Sequence, residues 1–567
     1  MKGRGSVGLI VALAGSLLAG AAAGQGMGPM LMGPPMPAAY AGEADKPGAP
    51  VFKGLSEHKH RISTRNPRTQ MFFDQGVDLL FGFNHAEAIR SFREAARLDP
   101  GCAMCWWGVA FALGPNINMP MPDDAVAPAW AALAKAQALK AKASPEERAW
   151  IDALATRYSP DPKADRHALD AAFAKAIGEL WQAWPDDLDA GTFYAEAMMD
   201  TQPWDYWEQD GKTPKGHAQQ IVSTLESIIA RDPSHPGALH LYIHAIEATT
   251  TPERAEAAAD RLEQLMPDAG HIVHMPSHIY YRVGRYADAE RVNALAAKVD
   301  EDYIAACKAQ GYYPAGYYGH NIHFLWTSSE MSGRYEGAID AARRLVKAMD
   351  ATTLAAQYPF AELYAFTPVV TQLRFEKWDA VLAEPSPPRT LVLDRAIDLY
   401  AKGTAYAAKG DLAKAQDERD LLSAVIAVGD FSRYGDSTPA KAMASLGLDL
   451  LDGEIARARG DTAGAAAHFR AAYQRQLALP YSEPPYWHQP VSHLLGAALL
   501  ADHRPAEAEA VYRESLKVYR DDGWALFGLA QALDAQGRSD EAAAVRQAFA
   551  AAWARADVKL ASSRSPG

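Results

Sequence analysis

A glycine followed five residues later by alanine recurs along this sequence, and recurrence at a fixed spacing decides architecture before any single residue does. Gly284 leads to Ala289 and Gly333 to Ala338, each with a tyrosine between them. Gly410 with Ala415, Gly460 with Ala465 and Gly537 with Ala542 repeat the spacing. Apolar residues stand at helical intervals on both sides of each glycine, so the unit is a helix, a tight turn and a second helix. One such hairpin cannot bury its apolar face alone and must stack on its neighbours. A chain of 567 residues is too long for one compact globule, and 49% hydrophobic with 22% charged residues is not a disordered composition.

The hairpins resemble the tetratricopeptide repeat. Numbered from Thr69, one unit has Phe72, Gly76, Ala88, Phe92, Ala95 and Pro100 at positions 4, 8, 20, 24, 27 and 32. The small residues let paired helices approach, the aromatics fill the gap to the next hairpin, and the proline stops the second helix. The same register places repeats near Thr69, Ala103, Ala396, Leu446, Gln489 and Gly523, with less regular ones near Leu188 and Glu362. The central repeats start at Pro236, Gly270 and Gly319. The step from Pro236 to Gly270 is one unbroken period, and the step on to Gly319 is longer because of an insertion that includes 311–318, expected as an aromatic loop. Residues 144–185 read as helical but fit the pattern poorly. The resemblance implies an all-α, right-handed superhelix, an α-solenoid with a concave groove that docks a protein or peptide. We expect an N-terminal array over 51–350 and a C-terminal array over 351–560.

In this family the first helix of each repeat lines the groove through positions 2, 5, 9 and 12. In the three central repeats those positions include His240, His244, His271, His274, His278, His320 and His323, together with Glu247, Tyr281 and Glu330. Seven of the twelve are histidine in a chain with 17 histidines in 567 residues, so chance is a poor explanation. His240 with His244, and His274 with His278, are i, i+4 pairs on one helix face, a spacing that lets two imidazoles share an ion. Helices in a stack lie about 8 to 10 Å apart, so adjacent repeats can contribute to one site. Glu196, at position 9 of the preceding repeat, and Glu247 are the carboxylates at hand. Such a donor set suits zinc, copper, iron or nickel and not calcium or magnesium. Pro276 either kinks the middle helix to aim its imidazoles or marks a late helix start. Imidazoles must be neutral to coordinate, so metal binding should weaken as pH falls through about 6.5.

Three other readings of the groove stay open: a peptide or small anionic ligand held by the histidines, a purely structural polar network, and a metal-dependent enzyme with Tyr281 and Glu247 as acid and base. No nucleophile elbow, phosphate loop or HExxH helix supports catalysis, and the balance leans to binding. A net charge of −13 argues against nucleic acid as a partner.

The N-terminus reads as a signal peptide over 1–23: Lys2 and Arg4, an apolar stretch over 7–18, then three alanines. Export to the periplasm or the extracellular space follows, with no membrane span after cleavage. Residues 24–50 are a Met-, Pro- and Gly-rich linker, whose Met27, Met30, Met32 and Met36 are spaced like soft-metal ligands but read first as linker. Residues 561–567 are expected to be a disordered tail. Cys102 and Cys105 form a CxxC without the following histidine of a haem site, expected as a local disulfide or two buried thiols. Cys307, the odd cysteine, is expected to be buried. The aromatic runs 204–207 and 484–490 are assigned to packing, and His488 and His493 to structural roles.

Overall fold

The computed structural model describes residues 48–307, 313–435 and 438–566. The expected signal peptide and most of the linker, including its four methionines, lie outside the described residues. Beyond them the chain is a succession of antiparallel helix pairs, the all-α solenoid that the period predicts. The pairs are Pro67–Phe81 with His85–Leu98, Ala103–Ala112 with Val126–Leu139, and Leu188–Asp200 with Ala218–Arg231. Pro236–Ile246 is followed by Glu256–Leu262, and Gly319–Met331 by Tyr335–Met349. The C-terminal pairs are Val392–Ala408 with Leu412–Val428, Ala440–Ala458 with Thr462–Leu477, Val491–Ala501 with Pro505–Val518, and Gly523–Ala535 with Ser539–Ala552.

Local chemistry sets these boundaries. Asn66 and Pro67 open the first helix, where the Asn66 side chain accepts from the Arg68 amide and the proline occupies a position that needs no donor. Ser144 and Glu147 form a reciprocal capping box at the start of Pro145–Ala155, the segment that fitted the repeat pattern poorly. The recurring glycines are the turns: Gly284, Gly333, Gly410, Gly460 and Gly537 have φ between 68° and 85°, a region that a Cβ makes costly. Pro276 divides its helix into Gly270–His274 and Pro276–Arg282, with Met275 still helical at φ −51° and ψ −39°. Both sequence readings of that proline therefore hold in part. Tyr286–Cys307 is the second helix of this repeat.

The winding is tight enough to close on itself. Helix Pro236–Ile246 returns against Pro67–Phe81, where a Cβ on Gly237 would lie 2.4 Å from the Phe81 ring. Replacing Gly237 with valine is expected to cost about 1–3 kcal/mol by forcing the two repeats apart, checked by urea denaturation midpoints. The C-terminal repeats fold back onto the central ones. Trp524 Nε1 donates to the Glu330 carbonyl at 3.1 Å, and Asp557 accepts from the amides of Tyr335 and Glu336 at 2.7 and 3.1 Å. One apolar core runs unbroken from Ala297 to Ala542, so the expected boundary near residue 350 is no break in packing.

Two local expectations meet the structure differently, and a third is resolved. The 561–567 tail is ordered over its described residues, with Leu560–Ser562 pairing with Ser565–Pro566 and Ser563 fully buried. Ser563 donates to the His493 carbonyl and contacts Tyr512. A sequence of small polar residues carries no periodicity, so its anchoring by a distant backbone carbonyl and the Tyr512 hydroxyl was not legible. The aromatic insertion is no plain loop where it is described, because Pro314–Tyr318 is a wide helical turn leading into Gly319–Met331. Cys102 and Cys105 are disulfide-bonded, which selects one of two open readings, and Cys307 is buried as expected.

Candidate metal centre

The i, i+4 spacing works as the sequence implies. On Pro236–Ile246, His240 and His244 bring their Nε2 atoms to 3.1 Å, and His271 from the next repeat brings its Nε2 to 3.2 Å from His240 Nε2. One repeat further, His274 and His278 bring their Nε2 atoms to 2.8 Å, and His320 joins them. In each trio one nitrogen per residue lies within 4.8 Å of the other two. Two nitrogens each about 2.0–2.1 Å from one ion are separated by about 2.8–3.4 Å for square to tetrahedral angles, which covers the three Nε2–Nε2 distances above.

The opposite ring nitrogens of the four paired histidines are held by acceptors. His240 Nδ1 donates to the Phe81 carbonyl at 2.6 Å. His274 Nδ1 donates to Asn293 Oδ1 at 2.6 Å, and that amide is oriented because its Nδ2 donates to the Ala289 carbonyl at 2.7 Å. Glu247 lies between the trios, with Oε1 3.2 Å from His244 Nδ1 and Oε2 2.5 Å from His278 Nδ1. Glu483, 205 residues further along the chain, also contacts His278 Nδ1. Such partners fix the tautomer and leave Nε2 as the free donor to a metal, the usual outer shell of a histidine site.

Proton accounting makes this more than resemblance. With their Nδ1 atoms donating, neutral His240 and His244 both have bare Nε2 atoms, and these face each other. A proton on His271 Nε2 satisfies His240 alone, while His271 Nδ1 has no hydrogen-bond partner among the described residues. Two desolvated lone pairs at 3.1 Å are costly, and a cation between them removes the cost.

Electrostatics act in the same sense at five of the six rings and against it at His278. All six imidazoles are buried, at 0% to 5% exposure. Burial, reinforced by neighbouring histidines, holds His240, His244, His271, His274 and His320 well below the ordinary imidazole range. Burial also pushes His278 down, but Glu247 and Glu483 more than reverse this and raise it to about 10. Aromatic rings wall the cluster: Phe83 and Tyr317 lie 5.4 and 4.6 Å from His271, and Phe324 is 5.1 Å from His274.

Of the residues expected at the site, His240, His244, His271, His274, His278, His320 and Glu247 converge. His323 does not: it stacks on Trp326 at 5.1 Å, and burial lowers it to about 3. Glu196 belongs instead to a buried network with Asp200 and Arg157, where burial and Asp200 raise it to about 8. Tyr281 contacts Thr327 at 3.4 Å and lines a separate cavity of about 230 Å³. Glu330 accepts from Thr371 at 2.9 Å and faces His488 at 3.4 Å. The groove expected to be open at these histidines is closed, because the returning C-terminal array and the residues 313–318 cover it. Glu483 was assigned to no site, since it precedes an aromatic run that reads as packing.

A second histidine cluster was also missed. Residues 49–66, before the first helix, run as an extended strap along the N-terminal repeats. His58 Nε2, His60 Nδ1 and His235 Nε2 all bond Asp189, at 2.9, 2.7 and 3.0 Å. His235 Nδ1 accepts the Ala238 amide as a helix cap at 3.2 Å, so its Nε2 carries the proton that Asp189 receives. Protons alone satisfy this cluster. It borders a cavity of about 700 Å³ lined by Glu146, Glu147, Asp187 and Asp232. The only sequence signal was His235 at a capping position beside Pro236.

The fold and interior define an α-helical repeat protein wound around a buried histidine cluster. Its repeat is the tetratricopeptide repeat: the family model of that description matches residues 499–550. No curated protein matches the sequence. Among solved structures, a tetratricopeptide repeat protein from Parabacteroides merdae is similar at 12% identity, over 58% of this chain and 92% of that one, with a TM-score of 0.29. Human IFIT1, solved as a dimer with PPP-AAAA, aligns at 10% identity over 90% of this chain and 98% of its own, with a TM-score of 0.30. Yeast Tom70 aligns at 10% identity over 85% and 90%, with a TM-score of 0.24. No described helix is long and apolar enough to cross a membrane.

Proposed function

We propose that this chain is a tetratricopeptide scaffold that encloses a transition-metal site in its central histidine cluster. The observation that carries the reading is the pair of bare Nε2 atoms of His240 and His244, 3.1 Å apart, each ring anchored through Nδ1. An all-imidazole donor set favours copper, zinc, nickel or iron over hard cations. The neutral state of five of the six rings disfavours an anionic ligand, and the burial of all six disfavours a peptide lying on them. A protein partner, the usual ligand of such repeats, fits the outer surfaces of the scaffold better than this interior. Export remains part of the proposal, and the Cys102–Cys105 disulfide supports an oxidising compartment.

The test is metal analysis of protein purified without an affinity tag and then incubated with zinc(II) or copper(II). We expect stoichiometric retention through gel filtration, and its loss in the His240→Ala/His244→Ala/His274→Ala/His278→Ala variant with unchanged helical circular dichroism. A wild-type protein that retains no stoichiometric metal after either incubation refutes the reading.

A further inference from the structure

The trios are copies of one another. His240 and His244 stand at positions 5 and 9 of the repeat starting at Pro236, and His271 at position 2 of the next. His274 and His278 stand at positions 5 and 9 of the repeat starting at Gly270, one period on, and His320 at position 2 of the repeat after that. A stacked helical repeat places equivalent positions in equivalent surroundings, so a donor set that recurs with the repeat is a site that recurs with it. The spatial result agrees: each trio has an i, i+4 pair with facing Nε2 atoms, at 3.1 and 2.8 Å, plus one imidazole from the following helix. Each pair also has one member whose Nδ1 is anchored on an uncharged oxygen, the Phe81 carbonyl or Asn293 Oδ1. The other member of each pair faces Glu247: its Oε1 accepts from His244 Nδ1, and its Oε2 lies 2.5 Å from His278 Nδ1 as an ion pair.

We propose that the chain holds two late transition-metal ions at equivalent three-histidine sites one repeat apart, His240/His244/His271 and His274/His278/His320, linked through the Glu247 carboxylate. This rests on the metal reading above and extends it from one ion to a pair. The sites occupy adjacent helices, so their separation is about one helix spacing, roughly 8–10 Å or less. The insertion before Gly319 is absorbed without losing the second site, because the wide turn Pro314–Tyr318 leads directly into the helix that bears His320. Glu483 bonds His278 and ties the second site to the C-terminal array.

Copper(II) titration of the wild-type protein is the decisive measurement. We expect two equivalents to be retained, with an isolated-ion EPR spectrum at low loading and dipolar broadening at two equivalents. The His274→Ala/His278→Ala and His240→Ala/His244→Ala variants should each retain one equivalent, and the quadruple variant none. Retention of one equivalent by wild type overturns the pair while leaving the metal reading intact. A second equivalent that adds signal without broadening also overturns it. Retention of no copper or zinc removes the underlying reading itself. The wild-type titration stands independently of whether the variants fold.

Discussion

Replacing Asp189 with alanine should release the N-terminal strap. Asp189 receives bonds from three imidazoles, His58, His60 and His235, and its side chain is only 5% exposed. Removing one partner from a buried ionic cluster costs about 3–5 kcal/mol, and the strap escapes that cost by detaching. Its other ties are scattered hydrogen bonds, among them Phe52 N to Gln75, Gly54 N to Asp268, Ser56 to Asp78, His60 N to Asp74, Ile62 N to Gln70 and Ser63 N to Glu147. Amide exchange at residues 56–62 should therefore accelerate by about a hundredfold or more, with the repeats beyond residue 67 unchanged. Uniform acceleration over the whole chain, or none at 56–62, contradicts this account.

The same clamp should respond to pH. Burial disfavours the charged His60 ring, but Asp189, with Asp187 and Asp74, more than compensates and raises it to about 9; Glu146 also faces this group. His58 is raised as well, by Asp189 and Asp78 against its own burial. These rings bind protons more tightly folded than unfolded. Their contribution is complete below about pH 6.5 and is lost as pH rises towards 9. Burial disfavours the Asp189 carboxylate too, but the histidines hold it well below its ordinary value. Its contribution is present above about pH 3.9 and fades as pH falls below that. Strap protection, corrected for intrinsic exchange rates, should be greatest between about pH 4 and 6.5 and fall as pH approaches 9.

The second large effect is stabilisation by metal. An ion that binds only the folded chain stabilises it by about 4 kcal/mol when free metal is a thousandfold above Kd. Zinc or copper loading should raise the thermal midpoint, and a chelator should reverse the shift. The gain should concentrate in the helices Pro236–Ile246, Pro276–Arg282 and Gly319–Met331, where exchange protection should rise most. The His240→Ala/His244→Ala variant should show a smaller shift, and Asp189→Ala the full one, because the strap cluster is satisfied by protons. A shift in wild type that survives loss of all four paired histidines would assign the stabilisation to surface binding instead.

The period was legible because each hairpin carries its own signals. The turn glycines have positive φ where the spacing placed them, and repeats begin at Pro236, Gly270 and Gly319 in both sequence and structure. Six of the seven groove histidines converge because positions 2, 5 and 9 follow from helical geometry within one repeat and the next. His323 shares their face on its helix, yet Trp326 and Tyr364 from neighbouring turns and repeats capture it. Glu196 sits at the right register position but lies in the field of Arg157 and Asp200, which bond each other across 43 residues of chain.

Local periodicity therefore determined the helix pairs, the turns and the two i, i+4 histidine pairs, all of which depend on contacts within about one repeat. Only the tertiary structure decided that the histidines are enclosed, that Glu483 reaches His278 across 205 residues, and that His58 and His60 meet Asp189 from the far side of several repeats. The physical reason is that superhelical winding sums small rotations between many repeats. Which distant segments meet depends on that sum, and no single repeat encodes it.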